Sequence, residues 1–405
     1  MTGLERTLKA IRDVFLYVLL FLSAISYHPT VMRMSRYAGY DNGTIFSRYI
    51  VLLFGAIFIL SISISAIKHS KMVRDYLICL IVVSVFALFI LAFFRNKDMV
   101  SELRTFIIVL GSMMIGYDLQ ISEKKYAWII LVFCVTAFIS GLMQVLVNIG
   151  GFRIVNQYLA DSKNSLGAML ATSSFAYFYL AKTSHKSYFR FICWGLMAGS
   201  LIVMITIRAR MAMVALLLVV MFYYYLIKRN KNIIISMALI GIAAFFLVLL
   251  MPGFIVDYLE DSFTAGTQGE DFTSGRLYTY AQAISYLMES PLLGNIYKYN
   301  QIGWVHNYLL LKLYDFGVLF SWPIFVLYFV VLISTINKSY KAPPYSRECF
   351  GYVCVLIPFV ISMGEPTFPF GPGTVNVFNF ILLGISEKEL MMRRRAMTSS
   401  VPVVE

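Results

Sequence analysis

The chain has 405 residues, 60% of them hydrophobic and 14% charged, with a mean hydropathy of +0.76 and a formal net charge of +13. A composition this apolar excludes a water-soluble globular protein, in which apolar residues make up ~45–50%. The positive charge is not a nucleic-acid signature either, because most Lys and Arg sit in short segments between apolar runs, where they report topology.

Continuous apolar runs predict spanning helices, since crossing the hydrocarbon takes roughly 20 apolar residues; the alternating ~10-residue segments of a barrel are missing. The expected fold class is all-α, a polytopic transmembrane helix bundle of about 12 spans with one large outer loop containing short helices. In chain order the spans are expected near 13–30, 46–67, 75–94, 103–119, 126–149, 164–182, 189–207, 211–227, 233–251, 307–336, 349–364 and 375–388. The domains are then 1–251 (helices 1–9), 252–305 (the large loop), 306–390 (helices 10–12) and 391–405 (a cytoplasmic tail). The first apolar run follows Arg6, Lys9 and Arg12 as a signal peptide would, but no small-residue cleavage site follows it, so it reads as an uncleaved helix. No internal repeat is visible, which disfavours a transporter built from two related halves.

With the N-terminus inside, 21 of the 34 Lys and Arg residues fall on the cytoplasmic side and both termini are cytoplasmic. The outer side keeps a surplus of arginines that topology does not explain. The loop 252–305 faces outward and is acidic, with Asp257, Glu260, Asp261, Glu270, Asp271 and Glu289 against Arg276 and Lys298. Within it Leu277, Ala281, Ile284 and Leu287 fall at helical spacing, predicting an interfacial helix. The five cysteines, Cys79, Cys134, Cys193, Cys349 and Cys354, form neither a disulfide framework nor a metal-ligand grouping. No metal and no cofactor are expected.

Several polar residues stand at outer helix ends. Asn164, with Asp161, opens the sixth span, where an N-cap role would suffice. Arg208 and Arg210, in "ITIRARMAMV", stand at the outer junction of the seventh and eighth spans. Two snorkelling arginines are the bland alternative, whereas a guanidinium pair at membrane depth suits an anion such as phosphate. Arg276, in "TSGRLYTYA", could simply pair with Glu270 or Asp271, although a cation at a helix start opposes the dipole. His306 and Asn307 sit where the loop re-enters the membrane, beside Trp304; the histidine is either part of an aromatic belt or a proton acceptor from a hydroxyl. Lys312 and Asp315, three residues apart, are expected to pair with each other. Glu365 lies in the Pro- and Gly-rich segment "MGEPTFPFGPG", which must be irregular and could hydrogen-bond a sugar. Signatures of soluble nucleotide-binding, serine and zinc enzymes do not occur.

The order of these features carries a resemblance. Asn164 at an outer helix start, "ARMA" at the next, "SGR" in the large loop, then "SPLLGN" and "HNYLLLKLYDFGVL" resemble the bacterial O-antigen polymerase and ligase superfamily. The likeness covers mainly residues 160–384; the first five spans match only as hydrophobic helices. It implies a metal-independent, membrane-embedded glycosyltransferase of the bacterial inner membrane. Its partners would be undecaprenyl-pyrophosphate-linked glycan donor and acceptor, the lipid bilayer and, where present, a chain-length regulator protein. Carried over, Arg210 and Arg276 would grip the donor pyrophosphate and His306 would act on the acceptor hydroxyl. Arg208, Asn164, Asn307 and Glu365 would help bind substrate. Ligases of the family often place a second histidine two residues before the His-Asn pair, where this chain has Trp304, and the segment from Arg276 to His306 is short. The polymerase is therefore favoured over the ligase, with a lipid-linked oligosaccharide flippase and a non-enzymatic scaffold as readings of other classes.

Overall fold

The computed structural model describes residues 3–37, 46–61, 70–94, 98–147, 163–207, 209–229, 276–297, 302, 305–371 and 373–399. Among them there are thirteen helices and no strand. In chain order these are α1 (Gly3–Ile25), α2 (Pro29–Tyr37), α3 (Ser47–Ser61), α4 (Lys71–Phe94), α5 (Asp98–Asp118), α6 (Glu123–Val147) and α7 (Lys163–Thr183). There follow α8 (Ser187–Thr206), α9 (Arg210–Lys228), α10 (Arg276–Glu289), α11 (Tyr308–Lys341), α12 (Arg347–Ile361) and α13 (Gly373–Ser399).

Six of these, α4, α5, α6, α8, α9 and α11, are long and apolar enough to cross a membrane. Their outward faces remain apolar. On α4 the row Ile78, Ile81, Val85 and Leu88 is exposed while Val73, Tyr76, Leu80, Val83 and Ala87 on the other side are buried. A helix apolar all round with half its surface uncovered suits hydrocarbon surroundings. The expected span at 233–251 and most of the large loop lie outside the described residues.

The centre of the bundle is built from α7, α12 and α13. α7 is buried over nearly its whole length despite Thr172, Ser173 and Ser174, and α12 buries almost every side chain. α13 packs on α5, α12, α1 and α7. Its approach to α5 is backbone to backbone: a side chain on Gly116 would strike the Ile381 carbonyl, and one on Gly384 the Met113 carbonyl. Small residues at such crossings replace the hydrophobic drive that is absent between helices in lipid.

One end of the bundle is laced by charge. Arg12 meets Asp118 at 2.9 Å, Lys125 meets Asp13 at 2.6 Å, Arg393 meets Glu348 at 2.8 Å and Lys338 meets Glu387 at 2.6 Å. These pairs gather segments of α1, α5, α6, α11, α12 and α13 that the positive-inside count had put on one side. α13 stays helical through Arg393 to Ser399, so the sequence boundary at 390 falls inside a helix. The first helix likewise starts at Gly3, well before the expected span, because Arg12 is buried against its acids and need not stay outside.

The predicted span 307–336 is not one straight helix. Tyr308 and Tyr328 stack with centroids 6.1 Å apart, whereas a straight helix would separate them by ~30 Å. The chain turns at Gly317, at φ 60° and ψ −178°, a conformation essentially restricted to glycine. Tyr308 through Phe316 is thus a short helix folded back beside α10, and the longer segment begins at Val318. Three of the polar groups freed by the break find partners on the segment 291–295. The amides of Val318 and Leu319 donate to the carbonyls of Pro291 and Leu292, and the Asn295 amide donates to the Tyr314 carbonyl. Gly294, also at positive φ (58°), lies against Gly317 with no room for a side chain on either. The "PLLG" and "YDFG" segments therefore build this joint, and these three hydrogen bonds take up backbone groups that the break would otherwise strand.

Lys312 does not pair with Asp315. The short helix turns Lys312 inward, where Nζ lies 2.6 Å from Glu102 of α5 and over the Tyr308 ring.

Candidate functional site

Three helix starts converge at the end of the bundle away from the charged lacing. α10 begins at Arg276 and α11 behind His306 and Asn307. α9 begins at Arg210, and its N-cap, Ala209, has no side chain to cap the first amides. All three point at residues 362–366, between α12 and α13. The Asn307 side chain caps α11 by accepting from the Leu310 amide at 3.0 Å and donates to the Met363 carbonyl at 3.2 Å. The Tyr308 amide donates to the Ser362 carbonyl, and Met211 fills the space in front of Gly364. Below, Phe368 and Phe370 are fully buried, Phe370 edge-on to Phe106 and Phe359, so the Pro-rich segment is anchored by its aromatics.

Glu365 is the centre of this arrangement. Only 4% exposed, it accepts from Arg276 Nη2 at 3.1 Å through one oxygen and holds the other 3.8 Å from His306 Nδ1. The second distance is beyond hydrogen bonding, and Nδ1 has no hydrogen-bond partner among the described residues. Tyr280, one turn after Arg276, donates its hydroxyl to the His306 carbonyl at 2.6 Å. Burial pushes the Tyr280 phenol up, Arg276 pulls it down and Glu365 raises it, so the hydroxyl remains a donor at neutral pH. Ala283, Val305 and Tyr314 form a small separate core that locks α10 to the short helix.

The sequence-derived candidates separate into groups. Arg276, His306, Asn307 and Glu365 come together. Arg210 is half-buried one residue from Met211 and hence beside the same segment. Asn164 stands one turn before Gly167, which abuts Ala209 and Ala212 at the start of α9; its side chain makes no hydrogen bond with a described residue. Arg208, Asp161 and Trp304 lie outside the described residues. Glu365 lies in irregular backbone, as its Pro- and Gly-rich segment predicts, but that loop residue is also a buried hub. Tyr280 and Met211 were not foreseen; the spacing of Tyr280 four residues after Arg276 was the one available hint. Of the apolar row Leu277, Ala281, Ile284 and Leu287, the first three are exposed and Leu287 is half-buried, while Ala283 faces the protein, so the protein leaves most of that row uncovered.

The sequence matches no family model and no curated protein.

Among the described residues no three His, Cys, Asp or Glu side chains gather as metal ligands would. The positive electrostatics come from Arg276 and Arg210, each at a helix start, and guanidinium groups there favour an anion. Arg276 uses one of its five N–H groups on Glu365 and retains others for a ligand. His306 is about one-third exposed, so its ring reaches both Glu365 and the open side.

Proposed function

We propose that this chain is an integral-membrane glycosyltransferase that polymerises undecaprenyl-pyrophosphate-linked oligosaccharide repeats at the periplasmic face of a bacterial inner membrane. In this reading about 12 spans cross the membrane with both termini in the cytoplasm, and residues 252–305 form the periplasmic loop. The observation that carries it is Glu365 held between Arg276 and His306. That trio unites a phosphate-binding cation, a proton acceptor and a carboxylate to orient it, from three motifs far apart in sequence.

The chemistry follows from those groups. The acceptor hydroxyl attacks the anomeric carbon of the donor, its proton passes to His306 Nε2, and the bond from that carbon to the pyrophosphate oxygen breaks. Glu365 stabilises the imidazolium through Nδ1, as the carboxylate does in a catalytic triad. Arg276 and Arg210 neutralise the charge that grows on the leaving pyrophosphate, so the step needs no metal. Asn307, next in the chain, ties this helix start to the Met363 carbonyl beside Glu365. Trp304 and the short segment between Arg276 and His306 favour polymerase over ligase.

The test is a deletion strain complemented with His306→Ala. The variant should insert and fold, yet leave surface glycan of a single repeat in place of a long ladder. A normal ladder refutes the reading. Loss of all glycan from lipid A-core on deletion of the chain would identify a ligase instead.

A further inference from the structure

A groove of about 950 Å³ opens at the charge-laced end of the bundle, between α4, α11 and α13, remote from Glu365. Its two halves differ in chemistry. One wall is apolar and runs along α11 through Trp322, Phe325, Val326, Phe329, Val330 and Ile333. From Trp322 to Ile333 that wall is ~16 Å long, close to half the ~30 Å hydrocarbon thickness, the depth of one leaflet. Where it ends, Lys71, Lys338, Lys341, Arg394 and Arg395 form the rim.

The rim is not self-neutralised. Its two acids are Asp75 and Glu387. Glu387 is taken by Lys338 at 2.6 Å, by Tyr352 at 2.9 Å and by Ser70 at 3.2 Å. Asp75 lies 3.8 Å from Arg74. Lys71, Lys341 and Arg395 have no carboxylate within ion-pair distance among the described residues. Basic residues are expected at this end in any case, but scattered headgroup contacts require no groove. Here three unmatched cations ring the mouth of an apolar slot one leaflet deep.

We infer that this groove is a binding site for an anionic phospholipid, with its acyl chain along Trp322–Ile333 and its phosphodiester among Lys71, Lys341 and Arg395. A free phosphate would satisfy the rim and leave the wall bare; a zwitterionic lipid would fill the wall and bring its own cation to a cationic rim. The site is independent of the chemistry at Glu365 and stands on the apolar helices crossing a membrane.

The test places the full-length protein in phosphatidylcholine nanodiscs doped with a minority of brominated phosphatidylglycerol or brominated phosphatidylcholine. The fluorescence quenching that disappears in Trp322→Phe isolates the groove from the other tryptophans. Brominated phosphatidylglycerol should quench Trp322 at least about fivefold more effectively, the factor expected from a single Lys or Arg paired with an anionic headgroup. Unlabelled phosphatidylglycerol should reverse the effect and inorganic phosphate should not. Lys71→Gln, Lys341→Gln and Arg395→Gln combined should abolish the preference, and the charge-preserving set Lys71→Arg, Lys341→Arg and Arg395→Lys should keep it. Equal quenching by the two lipids, or reversal by inorganic phosphate, overturns the inference on the unaltered protein alone, even if the triple variant does not fold.

Discussion

Glu365 and Arg276 meet at 3.1 Å across 89 positions of sequence, and the same carboxylate turns its other oxygen to His306. Each partner offsets an unfavourable setting of the other. Arg276 starts a helix whose dipole repels it, and the buried carboxylate would be left uncompensated without a cation.

The first prediction concerns that carboxylate. Glu365→Gln keeps the shape but removes the charge that faces Arg276 and, in the proposed chemistry, supports His306 as it takes the proton. Polymer formation should fall by ~100-fold or more while the protein still inserts, the scale of losing an acid–base partner. Repeat-unit turnover in membranes, compared at equal protein level, measures it. Near-normal turnover would reduce Glu365 to a structural tie.

Arg276→Lys is the second. The ammonium can still meet Glu365 but cannot offer the planar fork that takes two phosphate oxygens while bonded elsewhere. A rise in the apparent KM for the lipid-linked donor of about 10-fold is expected, corresponding to one lost charge-assisted hydrogen bond. Donor titration at saturating acceptor reads it, and an unchanged KM would remove Arg276 from donor binding.

A third outcome concerns the buried pair beneath the site. Lys312→Met leaves Glu102 without its cation in a largely buried setting and should destabilise the protein by about 2–3 kcal/mol, below the fully buried range because Glu102 keeps some solvent. Lys312→Met combined with Glu102→Met should recover most of that loss, because the apolar pair leaves no stranded charge. Thermal unfolding in detergent compares the three proteins. A double variant no better than Lys312→Met would show that the cost lies in packing against Tyr308.

Gly317→Ala is the fourth. The new methyl group would meet the Leu292 carbonyl, and the backbone conformation by itself costs an L-residue ~1–3 kcal/mol. Lower thermal stability should be accompanied by loss of activity, because the short helix that carries His306 depends on this joint. Gly195→Ala, where a side chain enters open space, should leave both unchanged.

The helices were legible because hydrophobicity along a chain in lipid is a strong local signal. The expected spans overlap every long described helix, and α10 starts at Arg276 as the pattern suggested. What was not legible depends on dihedrals and on distant partners. No local property of "YDFGVL" distinguishes a glycine inside a helix from one that reverses it; that depends on Pro291 and Leu292 offering their carbonyls. Lys312 was paired with its nearest acid in sequence, whereas the reversal turned it toward Glu102 on another helix. Glu365 sits among Pro and Gly, where sequence indicates irregular backbone but not depth. The aromatics around it, Phe368 and Phe370, were the overlooked sign that this segment is buried.

The joint at Gly317 also has a direction in time. Pro291, Leu292 and Asn295 leave the ribosome before Val318, so the acceptors and donor that complete the broken helix already exist when its second half is made. The insertion machinery never has to shelter a half-helix with bare amides, provided that the segment from Arg276 to Asn295 has stayed close by. Two fragments synthesised separately, split between residues 295 and 305, would together hold the described residues of the site yet lose that order of assembly.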